Sequence, residues 1–138
     1  MKVKTALILC AGYGKRLAPI TNDVPKPLLN VKNLNLLDNT LKFVKSVGIT
    51  KLKINTFYLS DQINNFVEKQ NYPLNIDIIN EGEKILDTGG GIYNLIKESD
   101  EEDFLTLNPD TLWNSNYLKT FNEMEKLYFK NKIKNLLM

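Results

Sequence analysis

Leu9–Val31, LCAGYGKRLAPITNDVPKPLLNV, is the stretch whose reading decides the fold. It follows the apolar run Ala6–Leu9 and sets Gly12, Gly14, Lys15, Arg16, Pro19, Thr21, Pro25, Lys26 and Pro27 at fixed spacings. Glycines leave backbone amides open to close approach by phosphate oxygens. Lys15, Arg16 and Lys26 supply the positive charge that a polyphosphate requires. Pro25 and Pro27 stiffen the backbone on either side of Lys26, so its long cationic chain stands on a firm base. An isolated GxG is ordinarily a tight turn, and most lysines are solvated surface groups. Here the arginine shortly after Gly14 and the PKP bracket favour phosphate binding instead. The spacing is not that of a P-loop, GxxxxGK[ST], and it lacks the third glycine of the dinucleotide fingerprint.

Outward from this stretch, strands and helices alternate. Lys4–Cys10 reads as a buried strand, short, apolar and ended by Ala11-Gly12. The prolines make residues 11–30 an ordered loop rather than a helix. Leu37, Leu41, Val44 and Val47 mark one helical face, closed by Gly48. Lys51–Phe57 is a second strand, and Ser60 is a candidate N-cap for a helix burying Ile63, Phe66 and Val67. Leu74–Ile79 is a third strand, followed by the loop EGEKILDTGGG and a helix through Ile92, Leu95 and Ile96. Phe104–Leu107 is a fourth strand ending at Asn108-Pro109-Asp110, and Leu118, Phe121, Met124 and Tyr128 outline a last helix. This alternation predicts an α/β fold, with a mostly parallel sheet covered on both faces. Ligands of such sheets bind beyond the carboxyl ends of the strands. The loops after the first, third and fourth strands therefore share one edge.

The chain has 138 residues, one domain's length, and neither repeats nor linkers. Its net charge of +2, with dispersed lysines, gives no nucleic-acid footprint. No apolar run approaches a membrane span, and the N-terminus lacks a signal-peptide pattern. Cys10 is the lone cysteine, which excludes an internal disulfide and suits a reducing cytoplasm. The chain has no histidine, so Ser-His-Asp and Cys-His triads and histidine-based zinc sites are excluded. Carboxylates, lysines, arginine, backbone dipoles and a hard metal ion remain, a set suited to phosphoryl or nucleotidyl transfer.

Asp110 stands just past a parallel strand, where a carboxylate faces the ligand edge. Mg²⁺ typically takes one or two carboxylates plus phosphate oxygens. An Asp after proline also commonly closes a turn or caps a helix. Beside the phosphate loop, the metal-binding reading is favoured. Thr88, Gly89, Gly90 and Gly91 form a second small-residue cluster, which either admits close backbone approach or is a plain flexible helix start.

LCAGYGKRLAPITNDVPKPLLNV resembles the signature of the sugar-phosphate nucleotidyltransferase family, approximately L-A-A-G-x-G-x-R-L-x-P-x-T-x-x-x-P-K-P-L. Cys10 replaces the first alanine of that pattern, small for small. The likeness continues through INTFYLSDQI, EGEKILDTGGGI and FLTLNPD. Within the family, LDTGGGI most resembles the N-acetylmuramate-1-phosphate uridylyltransferases. The resemblance implies a Rossmann-like three-layer sandwich of the nucleotide-diphospho-sugar transferase type, incomplete at the C-terminus, with residues 1–138 as a single nucleotide-binding domain. It implies a reaction of a nucleoside triphosphate, UTP by preference, with a sugar 1-phosphate, an N-acetylated amino sugar by preference, giving a nucleotide-sugar and pyrophosphate. Ala11, Gly12, Gly14, Lys15, Thr88 and Gly89 would contact the nucleotide. Arg16 would sit on the leaving pyrophosphate, and Lys26 at the α-phosphate. Asp110 would hold Mg²⁺, and Asn108, Glu81 and Gly90 would face the substrate. The resemblance makes Glu81 and Asp87 candidate polar contacts beside the base and sugar, although both also fit ordinary solvated loop acids. Pro109 stands where the family more often has glycine. Guanylyl- and phosphocholine cytidylyltransferases share the first motif, and a nucleotide-binding module without catalysis is a further alternative.

Lys134–Met138, KNLLM, looks like the start of another strand, although Ile133, Leu136 and Leu137 also fit the end of the last helix. The greater length of the family's members favours the strand reading and a chain cut short, with an uncovered sheet edge, poor stability or association, and no second metal-binding aspartate.

Overall fold

Thr5–Leu9, TALIL, is buried nearly throughout, as a strand flanked by strands and covered on both faces must be. In the computed structural model, which describes residues 2–137, this strand, β1, lies inside a four-stranded parallel sheet. A short antiparallel hairpin, β2 (Asn30–Val31) and β3 (Leu34–Asn35), follows it and leads into α1 (Leu36–Ser46). Then come β4 (Lys51–Thr56), α2 (Ser60–Gln70), β5 (Asn75–Asn80), α3 (Asp87–Ile96), β6 (Phe104–Leu107) and α4 (Ser115–Asn131). The sheet order is β5-β4-β1-β6, and Ile8 lies opposite Ile54 on one side and Leu107 on the other. The chain steps outward from β1 through β4 to β5, then returns to the far side of β1. That reversal opens a crevice at the carboxyl ends of β1 and β6, where ligands of open α/β sheets bind.

The pleat sorts the two faces. Ala6, Ile8, Leu52 and Ile54 join a core with Leu37, Leu41 and Val44 of α1, Ile63 and Val67 of α2, and Phe121 of α4. Each fully buried Leu or Ile there contributes about 1.5–3 kcal/mol. The alternate positions Leu7, Lys53 and Asn55 face α3, which packs on β1 and β4. The Lys53 ammonium donates to the Leu95 carbonyl at 3.0 Å, so a lysine stem fills part of that layer. Helices on both faces make the three-layer sandwich.

Several sequence expectations change. The β2–β3 hairpin lies where no strand was expected, turning through Lys32 at φ 55°. Ser60 is the first residue of α2 rather than its cap, because Leu59 takes the left-handed turn at φ 48°. DTGGG is the first part of α3, not a loop before it. Residues 133–137 form neither strand nor helix: α4 ends at Asn131, with Lys132 in the left-handed conformation. Met138 lies outside the described residues.

Candidate active site

The spacing of the first motif has a packing cause. Gly14 takes φ +66°, and a Cβ there would stand 2.9 Å from Thr21 Cγ2 and 3.3 Å from Lys26 Cβ. Glycine is therefore required by conformation and by close approach. Buried Thr21 donates its hydroxyl to the Gly14 carbonyl at 3.0 Å. Gly14, Thr21 and Lys26 thus meet, although twelve positions separate the first from the last. From outside, the Tyr58 hydroxyl lies 3.0 Å and 2.8 Å from the Thr21 and Asn22 carbonyls, and Gln62 donates to the Asp23 carbonyl at 2.8 Å. Lys26 opens a short 3-10 turn, Lys26–Leu28, whose Pro27 is buried.

Lys26 then reaches across the crevice. Its ammonium donates to Asp110 Oδ2 at 2.5 Å, joining groups 84 residues apart. The Asp110 loop is itself fastened: the Asn39 amide of α1 accepts from Trp113 N–H at 2.7 Å and donates to the Trp113 carbonyl at 3.0 Å. Trp113 stacks on Phe43 with ring centroids 4.5 Å apart. Arg16 lies exposed in the short turn Lys15–Leu17 and is in no ion pair among the described residues. The Lys15 ammonium sits 5.0 Å from the centre of the Tyr13 ring. Tyr13 in turn packs on Phe57 and Tyr58.

The opposite wall is built around two buried polar side chains, Asn55 and Glu81. Asn55, at the end of β4, accepts from Cys10 N–H through Oδ1 at 2.8 Å and donates through Nδ2 to Glu81 Oε1 at 2.7 Å. Glu81 Oε2 accepts from Leu86 N–H at 2.7 Å. Asn55 is 3% exposed and Glu81 8%, so Glu81 is not the solvated loop acid that one reading of the sequence allowed. Gly91 covers the pair: a Cβ there would lie 2.6 Å from Asn55 Nδ2 and 2.8 Å from Glu81 Oε1. This contact requires glycine at 91, and it offsets the cost of glycine within a helix at that position.

Between these walls is a cleft of about 930 Å³. Its lining includes Ala11, Gly12, Gly14, Lys15, Arg16, Lys26, Glu81, Thr88, Asn108 and Asp110 from the sequence-based set. Gly89 and Gly90 do not line it: an added Cβ on Gly89 would meet open space, and one on Gly90 would meet Leu86 of its own turn. Asp87, a candidate polar contact in the sequence, lines the cleft as well, and Asn55 and Leu112 line it without having been anticipated. Asn55 had one signal in the sequence, a polar residue inside the inward-facing end of an apolar strand. Burial pushes the Cys10 thiol up, so it remains protonated and acts as a packing group.

The residues fit a nucleotide-bound Mg²⁺ rather than a metal caged by protein. Among the described residues no three potential ligands gather. Asp110 offers one hard carboxylate at the mouth of a cationic loop, which suits an ion that takes its other oxygens from phosphates and water. No helix among the described residues is long and apolar enough to cross a membrane.

Residues 5–134 match the sequence profile of a family described as nucleotidyl transferase. N-acetylmuramate alpha-1-phosphate uridylyltransferase of Neisseria meningitidis serogroup B is 33% identical over 88% of this chain and 53% of its own length. D-glycero-alpha-D-manno-heptose 1-phosphate guanylyltransferase of Aneurinibacillus thermoaerophilus is 29% identical over 84% of this chain and 50% of its own. A crystal structure of UDP-glucose pyrophosphorylase complexed with UDP-glucose superposes with a TM-score of 0.78 over 94% of this chain and 55% of that one; at 20% identity it bears on the fold. The chain spans about half the length of the curated relatives it matches.

Proposed function

The chain belongs to the nucleotidyl transferase family, and from that membership we propose that its cleft binds a nucleoside triphosphate and serves transfer of the nucleotidyl group to a sugar 1-phosphate. The Lys26–Asp110 contact across the crevice carries this reading. It joins a cation on the glycine loop to a carboxylate at the end of β6, a pairing suited to a polyphosphate and its divalent ion.

In the proposed reaction a phosphate oxygen of the sugar 1-phosphate attacks the α-phosphorus of the nucleotide. The bond from that phosphorus to the bridging oxygen breaks, and pyrophosphate leaves. The attacking oxygen is already ionised at neutral pH, so no general base is needed, in keeping with a chain that has no histidine. Backbone around Ala11, Gly12 and Gly14 receives the nucleotide. Arg16 stabilises the leaving pyrophosphate, and Lys26 the charge that develops at the α-phosphate. Asp110 is the residue proposed to hold Mg²⁺, which when bound neutralises phosphate charge and aligns the oxygens. Asn108 and Thr88 border the space left for sugar and base.

UTP with an N-acetylated amino sugar 1-phosphate is the preferred pair, supported by LDTGGGI and by the similarity to the N-acetylmuramate uridylyltransferase. A guanylyl reading has its own support in the heptose 1-phosphate relative, matched over a similar span. Pyrophosphate release and nucleotide binding, assayed with UTP, CTP, dTTP and GTP against several sugar 1-phosphates and phosphocholine, test the assignment. Release with UTP and an amino sugar phosphate is expected. Release with GTP and a hexose or heptose phosphate moves the substrate, and release with CTP and phosphocholine alone moves the acceptor class. Binding without release makes the chain a nucleotide-binding module. A chain that shows neither binding nor release would overturn the proposal.

A further inference from the structure

We propose that Asn55 and Glu81 are a positioning pair that sets the separation of the two walls of the cleft. This rests on the nucleotide-binding reading and assigns Glu81 a role other than contact with the substrate. The hydrogen bonds run in one line: Cys10 N–H to Asn55 at 2.8 Å, Asn55 to Glu81 at 2.7 Å, and Leu86 N–H to Glu81 at 2.7 Å. One end precedes Ala11-Gly12 of the glycine loop. The other precedes Asp87-Thr88 at the start of α3.

The chemistry of each position is dictated by its neighbours. Glu81 must accept at both oxygens, once from a side-chain amide and once from a backbone N–H, which a carboxylate does and an amide does not. Asn55 must accept from one group and donate to another, which an amide does. Among the described residues no lysine or arginine pairs with Glu81. A buried carboxylate without a counter-cation is costly, and its two hydrogen bonds are what offset that cost here. The seat of Gly91 against both side chains adds a second constraint, because any drift of the pair moves α3.

The line of bonds can be reversed. With Asp at 55 and Gln at 81, the Asp accepts from Cys10 N–H and from the Gln amide, and the Gln carbonyl accepts from Leu86 N–H. Every donor keeps an acceptor. Each single change leaves a mismatch: Glu81→Gln sets an amide against a donor, and Asn55→Asp sets two carboxylates together.

The experiment is titration calorimetry of UTP, CTP, dTTP and GTP, each with Mg²⁺, on the wild-type chain, Asn55→Asp, Glu81→Gln and the double variant. Amide hydrogen exchange at Leu86 without nucleotide runs in parallel, since Cys10 N–H also donates to the Asn55 main-chain carbonyl at 3.2 Å and keeps that bond in every variant. Each single variant is expected to weaken binding roughly tenfold or more and to lose amide protection. The double variant is expected to recover protection and to bind within about threefold of wild type, as reciprocal pairs do when their coupling is restored. A double variant that regains protection but binds as poorly as Glu81→Gln overturns the proposal in favour of direct contact with the ligand. Unchanged exchange in both single variants overturns the pair itself. If a single variant does not fold, the double variant decides alone. A wild-type chain that binds none of the nucleotides overturns the functional reading, while exchange still reports on the pair.

Discussion

The two walls of the cleft solve different problems with different chemistry. The wall formed by the glycine loop and the Asp110 turn is charged and half-exposed, with Lys26 and Asp110 side chains 29% and 41% accessible. The wall formed by the end of β4, the loop after β5 and the start of α3 is built on a buried polar pair, Asn55 and Glu81, bonded to each other and to Leu86 N–H. Exposed charges can exchange partners as a ligand arrives, whereas buried hydrogen bonds hold a shape. The first wall is therefore suited to stabilise changing charge, and the second to fix the shape of the cleft.

Variants on each side should separate these roles. Lys26→Ala is expected to lower turnover roughly a hundredfold or more, the usual loss for a transition-state charge group. Its melting temperature should barely move, since a surface ion pair contributes about 0–1 kcal/mol. Near-normal turnover in a steady-state assay would remove Lys26 from the reacting centre. Asn39→Ala frees the Trp113 backbone from α1 and should raise the Mg²⁺ requirement about tenfold, because outer supports of metal ligands have effects of that order. Nucleotide affinity measured without Mg²⁺ should stay the same. Gly91→Ala adds one methyl against the Asn55–Glu81 pair and should weaken nucleotide binding about fivefold, an overpacking cost of about 1 kcal/mol. It should leave the turnover of bound nucleotide intact, and a drop in turnover instead would merge the two walls into one.

The smallest effect lies outside both walls. The Lys51 ammonium donates to Glu101 at 2.6 Å at the opposite end of the sheet, and with Ser99 it holds the Glu101 carboxyl at about 2, below its ordinary 4.5. A carboxyl depressed by folding stabilises the protein above its ordinary value and loses that effect as pH falls towards the folded value. Urea unfolding of wild type and Glu101→Gln should differ slightly at neutral pH and converge as pH falls from 4.5 towards 2. Nucleotide affinity should be unaffected.

Much of the first wall was legible in the sequence because its constraints are local. Gly14, Thr21 and Lys26 contact one another within one loop, so their spacing carries the information. The main strands and helices were legible for a similar reason: Ala6, Ile8, Leu52 and Ile54 follow the period of a strand, and Leu37, Leu41 and Val44 that of a helix. The second wall was not legible, because Asn55 and Glu81 acquire meaning only when β4 and β5 lie side by side. The glycines of α3 misled in part for the same cause, since the low helix propensity of Gly91 is offset by its seat on that pair. The tail misled differently: KNLLM has the composition of a strand, but strand formation needs a neighbour as well as a pattern, and residues 134–137 pair with none of the described strands.

The central claim, that this cleft is a site for a metal-bound nucleoside triphosphate gripped by its charged wall, is most directly tested by equilibrium binding of UTP, CTP, dTTP and GTP to the wild-type chain and to a Lys26→Ala/Asp110→Asn variant, each with and without Mg²⁺. The account predicts Mg²⁺-enhanced binding of at least one nucleotide to wild type and loss of that enhancement in the variant. Equal binding by the two proteins, or no binding of any nucleotide by the wild type, would contradict it.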